Sequence, residues 1–346
     1  MFELIDLLES QGQLSKEQWV EVIEGYTPEI ANYVFEKARA LRETHYGKDT
    51  YLRGLIEFTN YCKQDCYYCG IRKGNKEVNR YRLSNDEIYA CCAEGYQLGF
   101  RTFVLQGGED PYYTDERLCE IVTHIKANYP DCAITLSLGE RSYDSYLALY
   151  EAGADRYLLR HETACHIHYH QLHPADMRAH NRQECLRDLK AIGYQVGTGF
   201  MVGSPYQTAE QLAEDMLFIK TLDPQMVGIG PFLPHHETPF KEKTAGTLEQ
   251  TLYMLGLLRL MIPKALLPAT TSLGTAAPDG REQGVLAGAN VVMPNLSPTS
   301  VRKDYLLYDN KICTTDTATM CRGCMEGRMQ SIGYQIAVAK GDSLNV

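Results

Sequence analysis

The chain is predicted to be an α/β protein: a complete (β/α)8 barrel of the TIM type, with N-terminal helices before it and a C-terminal extension after it. Three observations carry that expectation. From Tyr51 onward, short apolar or β-branched runs alternate with amphipathic helical stretches. The short runs are almost continuously apolar, as parallel strands covered on both faces must be. Eight such repeats fill roughly 250 residues, the size of a closed barrel. A doubly wound open sheet is the competing arrangement, because it shares the same alternation.

The expected strands are LIEF, TFVLQ, AITLSL, YLLR, QVGTGFMV, VGIGPF, PATTSLGT and NVVMPN. Between them lie helical patterns such as SNDEIYACCAEGYQLGF, TDERLCEIVTHIKANYP, NRQECLRDLKAIG and TAEQLAEDMLFIKTL. The last opens with Thr208, and Gln211 follows three residues later, a capping-box spacing that marks a helix start. The chain then divides into a helical segment over 1–50, the barrel over 51–300, and an extension over 301–346 that carries a second group of cysteines. In such barrels chemistry sits at the C-terminal ends of the strands, so unusual residues at those ends are expected to face one cavity.

Composition narrows the function classes. The 346 residues are 44% hydrophobic and 23% charged, which is ordinary for a globular protein, and the net charge is −10. The acidic residues are spread along the chain and no basic stripe opposes them, which argues against nucleic acid as a partner. The start, MFELIDLLESQGQLSKEQWVEVI, is neither a signal peptide nor a membrane span, so a cytoplasmic protein is expected. Twelve cysteines are then read as reduced. Cys91, Cys92, Cys119 and Cys185 fall in helical stretches, where a thiol packs as a small hydrophobe.

The remaining signal is the segment NYCKQDCYYCGIR, directly after the first expected strand. Cys62, Cys66 and Cys69 have the spacing C-x3-C-x2-C, one ligand short of a structural zinc site or a fully ligated cluster. Zinc with a histidine or a further cysteine is one reading. A [4Fe–4S] cluster held at three corners is the other, and it would leave one iron open for a ligand. Tyr67 and Tyr68 would shield such a cluster from water. Other strand ends are equally unusual. QGGED follows the second strand, TLSLGE sets Thr135 and Ser137 on one strand face, and RYLLRHE brings Arg156, Arg160 and Glu162 to the fourth. A buried run of charges needs partners, which a zwitterionic ligand would provide.

In these words the chain resembles the radical S-adenosylmethionine enzymes, whose signature is C-x3-C-x2-C after the first barrel strand. The resemblance implies that S-adenosylmethionine chelates the open iron and that an electron from the cluster cleaves it to methionine and a 5′-deoxyadenosyl radical. LQGGEDPYY, LSLGE, AGADRYLLRHETA, GIGPF, PATTSLGT, GANVVMPN and KIC are similar to the [FeFe]-hydrogenase maturases of the HydE type, from about Tyr51 to Cys324. Carried over motif by motif, that likeness implies S-adenosylmethionine contacts at Gly108, Ser137, Arg160, Glu162 and Arg182. It implies a substrate side built from Arg53, Gln106, Thr135, Arg156, Thr270, Thr271, Met293, Tyr305 and Tyr308. The implied substrate is a small iron complex bearing cyanide, carbon monoxide and cysteine, attacked at the cysteine sulfur. Implied partners are an electron donor such as flavodoxin or ferredoxin, and the other two maturases, a radical tyrosine lyase and a scaffold GTPase.

The C-terminal group, Cys313, Cys321 and Cys324, matches the position of an auxiliary iron–sulfur cluster in that family; zinc or three free thiols are the other readings. HETACHIHYHQLH, from His161 to His173, departs from the relatives by its histidine content and is expected to be a solvated helix face rather than a metal site. Biotin synthase shares the barrel but needs cysteines within it, and TFVLQ and QVGTGFMV have none. Methylornithine synthase, a carbon-skeleton mutase, is the leading alternative, followed by a relative acting on another small thiol or amino acid. A non-catalytic cluster scaffold would have no use for an S-adenosylmethionine pocket.

Overall fold

The computed structural model describes residues 1–345. Helices α1 (Phe2–Gln11), α2 (Lys16–Glu24) and α3 (Pro28–Tyr46) come first. Ser15 and Gln18 close a capping box at α2, and Thr27 caps α3 with Pro28 in the first turn. Their apolar faces bury Trp19, Val22, Val34 and Ala38 against the barrel's outer helices.

The barrel region follows as β1 (Asp49–Leu52), β2 (Gly54–Thr59), α4 (Asn85–Gln97), β3 (Thr102–Gly107), α5 (Asp115–Asn128), β4 (Ala133–Ser137) and α6 (Tyr143–Glu151). Next come β5 (Arg156–Leu158), α7 (His166–Leu172), α8 (Ala179–Ile192), β6 (Gln195–Thr198), β7 (Met201–Val202) and α9 (Ala209–Leu222). Then β8 (Met226–Val227), β9 (Gly230–Pro231) and α10 (Leu248–Met261) complete the regular alternation. A six-stranded all-parallel sheet runs β2-β3-β4-β5-β6-β8. Strand β2 is buried along its whole length, as a parallel strand between two covered faces should be. The capping box expected at Thr208 and Gln211 is present at α9.

Three expected strands differ, and VGIGPF is one of them, divided into β8 and β9 in separate sheets. QVGTGFMV is interrupted at Gly199, where a Cβ would lie 1.9 Å from the carbonyl oxygen of Gly228. The two backbones nearly touch there, so the run becomes β6 and β7, and β7 pairs instead with β9. PATTSLGT is not a strand beyond its first residues: Thr270 precedes helix α11 (Thr271–Ala276). The β-branched threonines suit either state, and the Thr270 hydroxyl bonds the Ile229 carbonyl rather than capping the helix.

After α12 (Gly280–Leu286), β10 (Val291–Val292) joins β1. The ladder is therefore continuous over six strands and not over eight. Beyond β8 it is carried by the single parallel bridges Met226–Leu266, Pro268–Val291 and Leu55–Asn295. Pro231, Pro268 and Pro294 lie in these segments, and a proline has no N–H to extend a ladder.

The extension is bound to the barrel rather than trailing from it. A 3-10 turn over Arg302–Asp304 leads to α13 (Ala318–Ser331) and β11 (Gln335–Ala337), which pairs with β1. The final residues cross the N-terminal ends of the strands. There the Lys340 carbonyl accepts from Thr102 and Arg156, and Asp342 meets Arg156 at 2.5 Å. Among the described residues, no helix is long and apolar enough to cross a membrane.

Candidate active site and cysteine centres

The loop Asn60–Arg72 has no regular structure and is held instead by polar clamps. The buried Asn60 side chain donates to the carbonyls of Asn79 and Asp304 and accepts the Tyr81 N–H. Arg80 donates to the carbonyls of Asn60, Ile71, Arg72 and Asn75. Gly70 N–H bonds the Leu307 carbonyl, tying the loop to the extension. So fixed, Cys62, Cys66 and Cys69 line one cavity of about 290 Å³ at the strand ends. No fourth cysteine lines it among the described residues. Burial pushes all three thiols up, Cys69 to about 12. Free thiols at that depth stay protonated, and a metal that takes them releases their protons.

The opposite wall is charged. Arg160 and Glu162 lie 3.4 Å apart, yet Arg160 Nε and Nη2 and Glu162 Oε2 are buried with no hydrogen-bond partner among the described residues. Such atoms are costly unless a ligand completes them. A cation and an anion left incomplete beside three thiols fit a cluster together with a zwitterion such as S-adenosylmethionine. Ser137, Gly108 and Arg182 line the same cavity, as do Gln106, Tyr305 and Tyr308. Gly108 has a steric cause: a Cβ there would lie 2.2 Å from the Tyr61 carbonyl oxygen, so only glycine lets the QGGED turn press against the cysteine loop. Arg182 reaches in from α8, bonded to Glu140 at 2.6 Å and to the Arg160 carbonyl at 3.1 Å.

Sequence reasoning missed the support beneath this wall. Glu162 has φ 65, a left-handed conformation that costs a non-glycine residue on the order of 1–3 kcal/mol. Two fully buried neighbours hold it. Asp215 on α9 accepts the Ala164 N–H at 2.5 Å and faces His161 Nε2 at 3.3 Å, while His161 Nδ1 meets Thr198 at 2.9 Å. Asp215 sits within an ordinary amphipathic helix, and only its zero exposure sets it apart from a surface carboxylate. Burial raises its pKa.

The remaining substrate-side residues do not share the main cavity. Arg53 precedes β2 and Arg156 opens β5, so they lie at the N-terminal ends of the strands, about a strand length from the cysteines. With Thr135 they line a small buried cavity of about 10 Å³. The partners expected of a ligand at Arg156 are supplied by the extension, through Asp342 and the Lys340 carbonyl. Arg53, 1% exposed, keeps Nε and Nη1 without a partner, as does Thr135 Oγ1. Thr271 and Met293 line a third cavity, next to the C-terminal cysteines. Thr270 bonds the Ile229 carbonyl and Ser272 beside the main cavity.

That third cavity brings Cys313, Cys321 and Cys324 together although they span a loop and α13. Cys313, Asp316 and Cys321 have ligand atoms within 4.8 Å of one another. Each thiol also has a guanidinium: Arg281 reaches Cys313 at 3.8 Å, Arg302 reaches Cys321 at 3.8 Å and Arg328 reaches Cys324 at 3.2 Å. A hydrogen bond from Cys321, with Arg281 nearby, lowers Cys313 to about 6.

The histidine-rich stretch is not a solvated face. His161, His168 and His173 are buried, and only His166 and His170 are exposed. His168 Nε2 meets the Pro205 carbonyl, and His173 bridges Tyr68 and the Tyr169 carbonyl, so α7 buttresses the cysteine loop. Here the polar residues carry hydrogen bonds into the core, which a hydropathy pattern cannot register.

Comparison with known proteins agrees with this geometry. Residues 56–219 match the family model of the radical SAM superfamily. The chain is 44% identical over 300 residues to the [FeFe] hydrogenase maturase subunit HydE of Thermotoga maritima, covering 87% of this chain and 85% of that protein. It is 31% identical over 302 residues to the 3-methylornithine synthase of Methanosarcina acetivorans, covering 87% and 85%. The crystal structure of methylornithine synthase (PylB) superposes with a TM-score of 0.84 at 29% identity, over 96% of this chain and 97% of that one.

Proposed function

The chain belongs to the radical S-adenosylmethionine superfamily, and on that premise we propose that it is an [FeFe]-hydrogenase maturase acting on the cysteine sulfur of a small iron complex bearing cyanide and carbon monoxide. Its relatives imply a [4Fe–4S] cluster and S-adenosylmethionine as cofactors. When bound, these supply a 5′-deoxyadenosyl radical by one-electron cleavage. Cys62, Cys66 and Cys69 would hold the cluster. Arg160 would take the carboxylate of S-adenosylmethionine and Glu162 a donor group, because both have incomplete hydrogen bonding there. Tyr68, Tyr305 and Tyr308 line the cavity with aromatic surface.

The observation that carries the maturase reading is the long, high-identity likeness to HydE joined to a C-terminal site of three gathered cysteines. An auxiliary iron–sulfur cluster at Cys313, Cys321 and Cys324 belongs to the same reading. Arg53, Thr135 and Arg156 line a separate cavity of about 10 Å³ at the opposite strand ends, too small for any part of that substrate, and so fall outside the proposed substrate site. The reading of the whole as a complete (β/α)8 barrel is supported by the three single bridges that continue the six-stranded sheet. Partners would be the other two maturases and a soluble electron carrier, in the cytoplasm.

A second reading, a methylornithine synthase-like mutase, is favoured by the 0.84 superposition. One experiment separates them. Anaerobically reconstituted protein with reductant and S-adenosylmethionine should form 5′-deoxyadenosine, and adding it to the two other maturases should activate apo-hydrogenase. Formation of 3-methylornithine instead would select the mutase.

A further inference from the structure

We infer that the auxiliary centre has a fourth protein ligand, the carboxylate of Asp316, beside Cys313, Cys321 and Cys324. This rests on the auxiliary-cluster reading and supplies the ligand that three cysteines leave missing. Binding releases the three thiol protons to solvent, and Asp316 takes the position a water would otherwise fill.

The loop before α13 places the carboxylate there. Cys313 has φ 61, a left-handed conformation uncommon outside glycine, and the bend it makes brings Cys313 and Asp316 to the same point on the helix. A carboxylate oxygen of Asp316 and the sulfurs of Cys313 and Cys321 lie within 4.8 Å of one another. Cys324 stands on the same helix face, three residues after Cys321, and lines the same cavity. Asp316 is the one acidic residue lining that cavity among the described residues. The other polar side chains there are committed elsewhere, Asn295 to Glu57 and Ser297 and Lys311 to Glu57. At about 30 Å³ the cavity holds a water but nothing as large as S-adenosylmethionine, so the fourth position falls to a water or to Asp316.

Neither ordinary use of the Asp316 side chain is made. An acid just before a helix often caps it, but Thr317 is the cap of α13 and accepts the Met320 N–H. An acid among arginines usually pairs with one, yet this carboxylate has no cation within 4.0 Å and no hydrogen-bond donor among the described residues. Arg302 bonds the Asp316 main-chain carbonyl instead, which fixes the residue and leaves its side chain free.

The charge balance needs that anion. Arg328 is matched by Glu282 at 2.7 Å. Arg281 and Arg302, 7% and 1% exposed, meet no carboxylate within 4.0 Å among the described residues. Buried charges persist when they are paired. An oxidised iron–sulfur core brings two positive charges, so three thiolates and one carboxylate leave the set with two negative ones. Those match the two guanidiniums. Without Asp316 in the set, one guanidinium is left unmatched.

The test is pulsed EPR of the full chain, reconstituted anaerobically with iron and sulfide, carrying the magnetic carbon isotope in its aspartate carboxylates, and reduced. The signal that S-adenosylmethionine does not shift belongs to the auxiliary centre. It should show a coupling to carboxylate carbon in the parent and none in Asp316→Ala. Asp316→Ala should also yield its auxiliary iron to a chelator at least about tenfold faster, a loss that even groups behind the ligands can cause. Asp316→Cys should restore the slow rate, because a thiolate can take the ligand's place. S-adenosylmethionine binding should be unchanged in both variants, which separates a lost ligand from a folding defect. A coupling from isotopically labelled water on that signal, with none from carboxylate carbon, overturns the proposal. Equal rates of iron loss in the parent and Asp316→Ala overturn it as well. If the parent holds no more iron than Cys313→Ala/Cys321→Ala and shows no second signal, the auxiliary-cluster reading fails, and the ligand with it.

Discussion

The two cysteine groups of this protein are chemically opposite. Cys62, Cys66 and Cys69 sit in a loop clamped by backbone bonds, where burial raises every thiol. Backbone N–H groups reach the sulfurs there, that of Glu109 lying 3.4 Å from Cys62, but no guanidinium does among the described residues. Across the cavity Arg160 and Glu162 lie 3.4 Å apart with their hydrogen bonding incomplete. Cys313, Cys321 and Cys324 instead each face a guanidinium, next to a cavity of only about 30 Å³. Positive charge and N–H donors at sulfur stabilise the reduced, more negative form of a cluster and raise its potential. The first site therefore suits a strongly reducing centre with room for a ligand, and the second a milder centre with none.

Breaking that contrast should have its largest effect at the first site. Cys66→Ala should abolish 5′-deoxyadenosine formation, while Cys321→Ala should retain most of it. Equal losses in a product assay would mean the two groups work as one centre. Next in size, Arg160→Met removes a charge-assisted contact of about 1.5–3 kcal/mol, so S-adenosylmethionine should bind roughly 10–100-fold more weakly by calorimetry. Asp215→Leu should weaken binding by about fivefold, since a positioning loss of ~1 kcal/mol acts through Glu162. Asp215→Asn keeps an acceptor for the Ala164 N–H and should restore much of that loss. A Leu variant that binds normally would make the pair purely structural.

At the C-terminal site, Arg281→Gln should lower the potential of a bound cluster by roughly 40 mV, the one-electron equivalent of about 1 kcal/mol. An unchanged midpoint in a redox titration would remove the guanidinium from the explanation.

The smallest effect concerns the buttress that only the first site has. Burial holds the His168 imidazole below its ordinary range. The unfolded chain takes up a proton near pH 6.5 that the fold resists, so this stability is complete above that pH and drains as pH falls below it, by about 1.4 kcal/mol per unit at most. His168→Gln should flatten the change in urea midpoint between about pH 7.5 and about pH 5.5. An identical slope would assign acid sensitivity elsewhere.

Much of the fold was legible because hydrophobic period and capping are local properties. The six ladder strands β2, β3, β4, β5, β6 and β8 each overlap a run that reads as a strand, with ends shifted by a residue at β2, β3, β5 and β8. PATTSLGT and QVGTGFMV were misjudged because their outcomes depend on contacts with distant segments, Thr270 with the Ile229 carbonyl and Gly199 over Gly228. The histidine stretch was misjudged because hydrogen bonds to Thr198, Pro205 and Tyr68 make burial tolerable.

The sequence by itself determined the chemistry at the mouth: three cysteines at fixed short spacing, QGGED, and Arg160 with Glu162 two residues on. These are local words whose function lies in their spacing. The tertiary structure alone decided which distant residues share a cavity. It sent Arg53 and Arg156 to the far strand ends and gave Arg156 a partner in Asp342. It also brought Arg281, Arg302 and Arg328 from three elements onto the C-terminal thiols and seated Asp215 beneath Glu162. Burial and charge pairing depend on packing between segments far apart in the chain, and a linear pattern carries no measure of that distance.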